Sequence, residues 1–363
     1  MAITLTSLAQ LAQLGFDDII DVRSPAEFAE DHIPGAINLA VLDDAERAEV
    51  GTIYKQDSPF RARKIGAALV AANAAAHLQG PLADKPGGWQ PLVYCWRGGQ
   101  RSGSFASILS QIGWRVELVS GGYKAYRSLV VQALYDQPFP CPVILLDGNT
   151  GSAKTALLHR LAARGIQVLD LEGLAHHRGS LFGAMAGGQP SQKAFESALA
   201  AAIDSLDPTR PVVIEAESSK VGNCRLPPML WKAMIAAERF EVVAPVAARA
   251  RYLVTAYADL VADTTRLTGV IGRLRNAHSA EQIDLWQTQA ATGAFEPLAA
   301  SLMAAHYDPR YSRHRARVER GLEQGLEHGL ETFSVDDLGD AALNALADCM
   351  AQHVAAKGPD PRQ

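Results

Sequence analysis

The chain has 363 residues, 48% of them hydrophobic and 20% charged, with a formal net charge of -5. This is the balance of a globular protein rather than a disordered one, and the length exceeds the ~250–300 residues at which single cores stop growing, so two domains are expected. The negative total excludes a surface that coats nucleic acid everywhere, but not a local basic patch.

The N-terminal MAITLTSLAQ has no basic stretch followed by a long apolar run, and no segment offers about 18 uncharged apolar residues in succession. A cytoplasmic protein with no membrane association is expected. The four cysteines, Cys95, Cys141, Cys224 and Cys349, are widely spaced and offer neither a C-x-x-C pair nor a disulfide framework. In chain order, DDIIDVRS, AINLA, PLVYCW and VELVSGG read as strands, with the Ala-rich helix KIGAALVAANAAAHL among them. The fold class is α/β. A helical RSLVVQAL is followed by YDQPFPCP, whose Pro138, Pro140 and Pro142 suit a linker, so the domains are set at 1–136 and 137–363.

The second segment starts again with strand, loop and helix in PVILLDGNTGSAKTALLHRLAARG. IQVLDLEG, helical KAFESALAAAIDSL, PVVIEAESS and RFEVVAPV follow, which implies a mostly parallel sheet covered on both faces. From about Arg249 to the end the pattern reads as helices. GLEQGLEHGLE is expected to be a local helix with Gly breaks, and GPDPRQ a frayed tail.

Two loops carry chemistry. In YCWRGGQRS, Tyr94 to Ser102, Cys95 ends an apolar strand and the loop leads into a helical SGSFASILSQIG. N–H groups at that helix start, together with Arg97 and Arg101, would favour thiolate over thiol, and Gly98 and Gly99 permit the curvature. The spacing suits either attack on phosphorus, with arginine binding phosphate, or a persulfide-type cysteine. The second loop, LLDGNTGSAKT, matches G-x-x-x-x-G-K-[ST] over Gly148, Asn149, Thr150, Gly151, Ser152, Ala153, Lys154 and Thr155, except that Ala153 replaces the last glycine. A methyl there is tolerable if the residue keeps right-handed helical φ/ψ. Loop N–H groups, Lys154 and the helix dipole would hold a diphosphate, and Thr155 could ligate Mg²⁺. Nucleotide hydrolysis needs an acid at a neighbouring strand end; Glu215, Glu217, Asp170 and Glu172 are the candidates, with glutamate where aspartate is usual.

DVRSPAEFAEDHIPGAINL (Asp21 to Leu39) and LVSGGYKAYR (Leu118 to Arg127), around the cysteine loop, resemble the signature stretches of the rhodanese family over about residues 1 to 130. Tyr94 stands where a classical cysteine phosphatase carries His. Asp21 and Arg23 are expected to form a strand-end salt bridge, and His32 to be a turn or packing residue. Further along, DLEGLAHHRGSLFG (Asp170 to Gly183), IEAESSKVG (Ile214 to Gly222) and HYDPRY (His306 to Tyr311) resemble the tRNA 2-selenouridine synthase family, which the two loops also match.

That resemblance covers nearly the whole chain. It implies a rhodanese-like domain followed by a P-loop α/β domain with a helical C-terminal region. It also implies a transferase acting on the wobble uridine of tRNA, which S-geranylates 2-thiouridine from geranyl diphosphate and then replaces the geranylthio group with selenium from selenophosphate. In that chemistry Cys95 serves the selenium step and Arg97 and Arg101 bind the anion. The phosphate loop holds geranyl diphosphate, with Lys154 on the leaving group, and His177, Arg178 and Glu217 are candidate substrate contacts.

Arg249, Arg251, Arg266, Arg273 and Arg275, then Arg310, Arg313, Arg315 and Arg317, form a candidate tRNA-binding cluster, with Tyr307, Tyr311 or Trp286 as candidate stacking residues. No tightly bound cofactor is expected; Mg²⁺ is left open and no metal ligand is assigned. A selenophosphate-producing enzyme is a candidate partner. The readings set against this one are a rhodanese-related phosphatase or sulfurtransferase with a nucleotide-binding regulatory domain, and a non-catalytic persulfide carrier.

Overall fold

The computed structural model describes residues 2–311 and 329–357. The chain divides into two compact units, Met1–Gln137 with Pro190–Ser205, and Pro138–Gln189 with Leu206–Gln363.

The first unit is built on a parallel sheet of five strands: β1 (Ala2–Ile3), β2 (Asp18–Asp21), β3 (Ala36–Asn38), β4 (Pro91–Tyr94) and β5 (Glu117–Val119), in spatial order β1-β5-β4-β2-β3. Every residue of the central β4 is buried, as expected of a strand covered on both faces, and Cys95 follows directly. Val93, Phe105, Leu109, Val70 and Trp114 form the adjoining core. Helix Pro59–Gln79 turns Ala62, Gly66, Val70 and Ala74 inward, one residue per turn.

Helix Gln192–Asp204, assigned on sequence to the second domain, packs instead in the first unit against helix Gly122–Tyr135. It buries Phe195, Leu199 and Ile203, the Ser197 hydroxyl donates to Asp31 at 2.8 Å, and Glu196 accepts from Tyr135 and pairs with Arg127. Periodicity gives a helix its apolar face but does not say which core that face will join.

In the second unit β6 (Val143–Gly148), β7 (Gln167–Leu169), β8 (Val212–Glu215), β11 (Glu238–Val243) and β12 (Leu330–Ser334) form a parallel sheet in the order β12-β11-β6-β8-β7. β9 (Lys220–Val221) and β10 (Cys224–Arg225) make a small antiparallel ribbon. The edge strand β12 corrects the expectation of helices alone after Arg249. Helix Asp340–Ala356 then packs back on helix Lys154–Ala162, placing Leu343, Ala347 and Met350 beside Leu157 and Leu161.

A separate helical core surrounds Trp286, which is fully buried among Leu260, Leu267, Ile271, Ile283 and Leu298, its indole donating to Ser301 at 2.9 Å. Trp286 is therefore unavailable as a stacking platform. Among the described residues no helix is long and apolar enough to cross a membrane.

Candidate functional site: a thiolate loop and a phosphate loop

Cys95 is buried at the end of β4, and the loop after it closes over the sulfur. The Gly99 N–H donates to Sγ at 3.3 Å and the Ser102 hydroxyl at 3.2 Å. Burial alone raises the thiol pKa, but the Ser102 hydroxyl, the N–H groups of Ser102 and Gly99 and the charge of Arg101 outweigh it, so the pKa falls below the ordinary thiol value.

The SGGYKAY stretch clamps this loop. Tyr123 N–H donates to the Cys95 carbonyl at 2.8 Å and Lys124 N–H to the Trp96 carbonyl at 3.0 Å. A Cβ on Gly122 (φ +59°) would stand 2.2 Å from the Cys95 carbonyl oxygen, so only glycine lets the helix start approach. Arg101 is held by Glu27 at 2.6 Å, and Arg97 is exposed.

Beneath lies the Asp21–Arg23 ion pair, 2.6 Å and almost fully buried, with Arg23 stacked 4.0 Å from the centroid of Tyr123. His32 stacks on Phe28 at 3.8 Å between centroids. The ion pair packs beneath the helix that clamps the loop, and His32 is held by packing on Phe28.

The phosphate loop runs from β6 into helix Lys154–Ala162. Lys154 Nζ donates to the Gly148 carbonyl at 2.9 Å and lies 5.7 Å from the centroid of Tyr311. Burial lowers its pKa, but Tyr311, Glu172, Glu217 and Asp147 outweigh that and the net shift is upward, so the ammonium stays charged. The Thr155 hydroxyl donates to Glu172 at 2.8 Å.

Ala153 is left-handed, with φ of +60°, contrary to the helical conformation expected of it. A non-glycine residue there costs roughly 1–2 kcal/mol. The loop therefore keeps the backbone path of the glycine it lacks. Arg249 secures the loop from behind, donating to the Thr150 carbonyl at 3.1 Å while paired with Asp308 at 2.8 Å. This buried arginine is a structural strut and is corrected out of the tRNA-binding set.

All three candidate substrate contacts, His177, Arg178 and Glu217, line the cleft above the loop. Arg178 pairs with Asp259 at 2.9 Å and lies over Tyr257. Among the described residues, Ser152 Oγ, His177 Nδ1 and Arg178 Nη1 are buried without a partner. At the end of β8, Glu215 accepts from the Glu172 N–H at 2.8 Å, and burial pushes its pKa well up, with Asp170 adding to the shift. Burial and then Glu172 raise Glu217 to about 8. A Cβ on Gly179 (φ +63°) would strike both Glu217 and Glu172, at 2.4 and 2.5 Å, so the glycine of HHRGS lets that loop lie against the carboxyl pair.

Among the described residues no three His, Cys, Asp or Glu side chains are grouped to hold a metal. Arg273, Arg275 and Arg310 are exposed, Arg251 pairs with Asp337 at 3.5 Å and Arg266 with Asp259 at 3.6 Å. Arg313, Arg315 and Arg317 lie outside the described residues.

Sequence reasoning missed two features. An apolar pocket adjoins the phosphate cleft and shares Thr150, Ser180, Leu253 and Tyr257 with it. A second cavity on another side contains Trp231. Leucines and tyrosines at helical spacing read as core in a sequence, and only the tertiary arrangement reveals the space between them.

A rhodanese-like domain family matches residues 4–129, and a family described as the tRNA 2-selenouridine synthase AAA domain matches residues 141–271. The tRNA 2-selenouridine synthase of Alcanivorax borkumensis is 34% identical over 81% of this chain and 88% of its own length; that of Verminephrobacter eiseniae is 36% identical over 85% and 92%. That of Aeromonas salmonicida is 39% identical over 68% of this chain and 66% of its own. With both loops in place on their two sheets and relatives aligned across both, the chain belongs to the tRNA 2-selenouridine synthase family.

Proposed function

We propose that the protein is a cytoplasmic tRNA 2-selenouridine synthase that works in two chemical steps on the wobble 2-thiouridine of tRNA. The sulfur is first S-geranylated from geranyl diphosphate at the phosphate loop. The geranylthio group is then replaced by selenium from selenophosphate at Cys95, supplied by a selenophosphate-producing enzyme.

One observation carries the first step: the phosphate cleft adjoins an apolar pocket walled by Leu253, Tyr257, Phe295, Leu298 and Leu302, sharing Leu253 and Tyr257 with it. A charged head on Lys154 with an apolar tail beside it fits a prenyl diphosphate better than a nucleotide, whose ribose and base would be desolvated there without polar partners. Departure of an allylic diphosphate requires charge stabilisation on its oxygens, which Lys154 and the N–H groups at the helix start are placed to supply. For the second step, the lowered pKa of Cys95 supports an anionic chalcogen in a loop that already donates to it.

The test incubates the protein with tRNA bearing 2-thiouridine and geranyl diphosphate, then selenophosphate, and follows nucleosides by mass spectrometry. A geranyl mass gain followed by selenium-for-sulfur exchange is expected. Cys95→Ala should keep the first and lose the second; retention of both would remove Cys95 from the mechanism, and absence of any geranyl gain in the wild type would sink the reading.

A further inference from the structure

A second cavity lies beside the phosphate cleft and meets it at three residues, Gly179, Glu217 and Tyr311. Its character differs from that of the apolar cavity. Trp231, from helix Pro228–Ile235, and Tyr311 give it aromatic walls, Arg239 pairs with Asp147 in it at 2.9 Å, and the exposed Arg310 also lines it. Flat aromatic faces with cations nearby are what an extruded nucleobase and its flanking phosphate need. Reaction on a base ordinarily requires taking it out of the stack.

Of the three glutamates near the loop, only Glu217 lines both cavities. Glu215 lines neither and is occupied by the Glu172 N–H, and Glu172 lines the phosphate cleft alone and accepts from Thr155.

Resting on the reading of the site as a 2-thiouridine prenyltransferase, we propose that this cavity seats the reacting base and that Glu217 accepts its ring N3 proton. The thione sulfur attacks C1 of the prenyl diphosphate; the S–C1 bond forms as the C1–O bond breaks, and the bonding pair leaves on the diphosphate oxygen beside Lys154. S-alkylation makes N3 acidic. The N3–H proton passes to the Glu217 carboxylate and its electron pair becomes the N3=C2 double bond, so the product is neutral at the base.

Glu217 must be ionised to accept that proton. The charged and titratable groups facing it are Glu172, which raises its pKa, Lys154, which opposes protonation, and Tyr311, with Asp147, Arg239 and Arg310 around the cavity.

The test uses the full chain, a thiouridine-bearing anticodon stem-loop and geranyl diphosphate, with single-turnover rates measured from neutral to mildly alkaline pH. The wild-type rate should rise as Glu217 ionises. Glu217→Gln should lower the rate by about 100-fold or more and remove that rise, while geranyl diphosphate binding, read by titration, stays within about two-fold. Trp231→Ala should raise KM for the stem-loop about tenfold, with Trp231→Phe restoring it.

An active wild type whose Glu217→Gln variant keeps rate and pH profile overturns the proton-acceptor role. Unchanged KM in Trp231→Ala overturns the base seat. A wild type that binds geranyl diphosphate but alkylates no thiouridine overturns the functional reading and this proposal together.

Discussion

The cysteine loop and the phosphate loop are the same construction, a buried parallel strand running through a tight turn into a helix, yet they treat their donors in opposite ways. Around Cys95 the Gly99 N–H and the Ser102 hydroxyl already point at a protein atom, and Arg101 is spent on Glu27. Around the phosphate loop, Ser152, His177 and Arg178 keep buried polar atoms that find no partner among the described residues, and Lys154 rests on a loop carbonyl. The first loop turns its donors on the protein's own sulfur, while the second leaves donors unmatched among the described residues. A strand–loop–helix sequence pattern alone cannot distinguish these, because the difference lies in where the donors point.

Substitutions can test that contrast. Lys154→Ala should slow geranylation by about 100- to 1000-fold, as loss of a preorganised donor to a leaving anion does, and leave selenium exchange on pre-geranylated tRNA intact; nucleoside mass spectrometry on the two substrates separates the steps. Arg249→Ala removes a buried guanidinium from Asp308 and from the Thr150 carbonyl. It should cost about 3 kcal/mol of stability, read by denaturant unfolding.

The carboxyls supply a pH test. Glu215 and Glu217 have raised pKa values in the fold, so their contribution to stability is fully present below the unfolded carboxyl range and is lost as pH rises, through about 8 for Glu217. Glu215→Gln, which keeps the oxygen that accepts from Glu172, should match the wild type in acid and exceed it in thermal unfolding as pH rises above the unfolded carboxyl range. Smallest is Ser102→Ala, which should raise the Cys95 pKa, read from the pH dependence of iodoacetamide alkylation, and leave geranylation unchanged.

Much of the site is written locally. DVRSPAEF, YCWRGGQRS and SGGYKAY are contiguous motifs whose roles are turns, caps and one close approach at Gly122, and GNTGSAKT keeps its path although Ala153 must go left-handed. What escaped sequence reasoning depends on partners far along the chain. Arg249 looks like one more member of a basic run until Asp308 is found 2.8 Å away. PMLWKAMI reads as an ordinary buried helix, and only its position over the sheet brings Trp231 to a cavity wall beside Glu217. Edge strand β12 follows a glycine-punctuated stretch whose helix-favouring composition gives no warning of it.

Helix Gln192–Asp204 completes the first unit from beyond the phosphate loop, tying Asp31 through Ser197 and Arg127 through Glu196. During synthesis the first unit therefore cannot finish folding when residue 137 emerges. The ribosome must first deliver the strand, loop and helix of the second unit, so for that interval the surface that receives Phe195, Leu199 and Ile203 stays uncovered on the nascent chain. Maturation of the cysteine loop's support thus waits on translation of the phosphate loop.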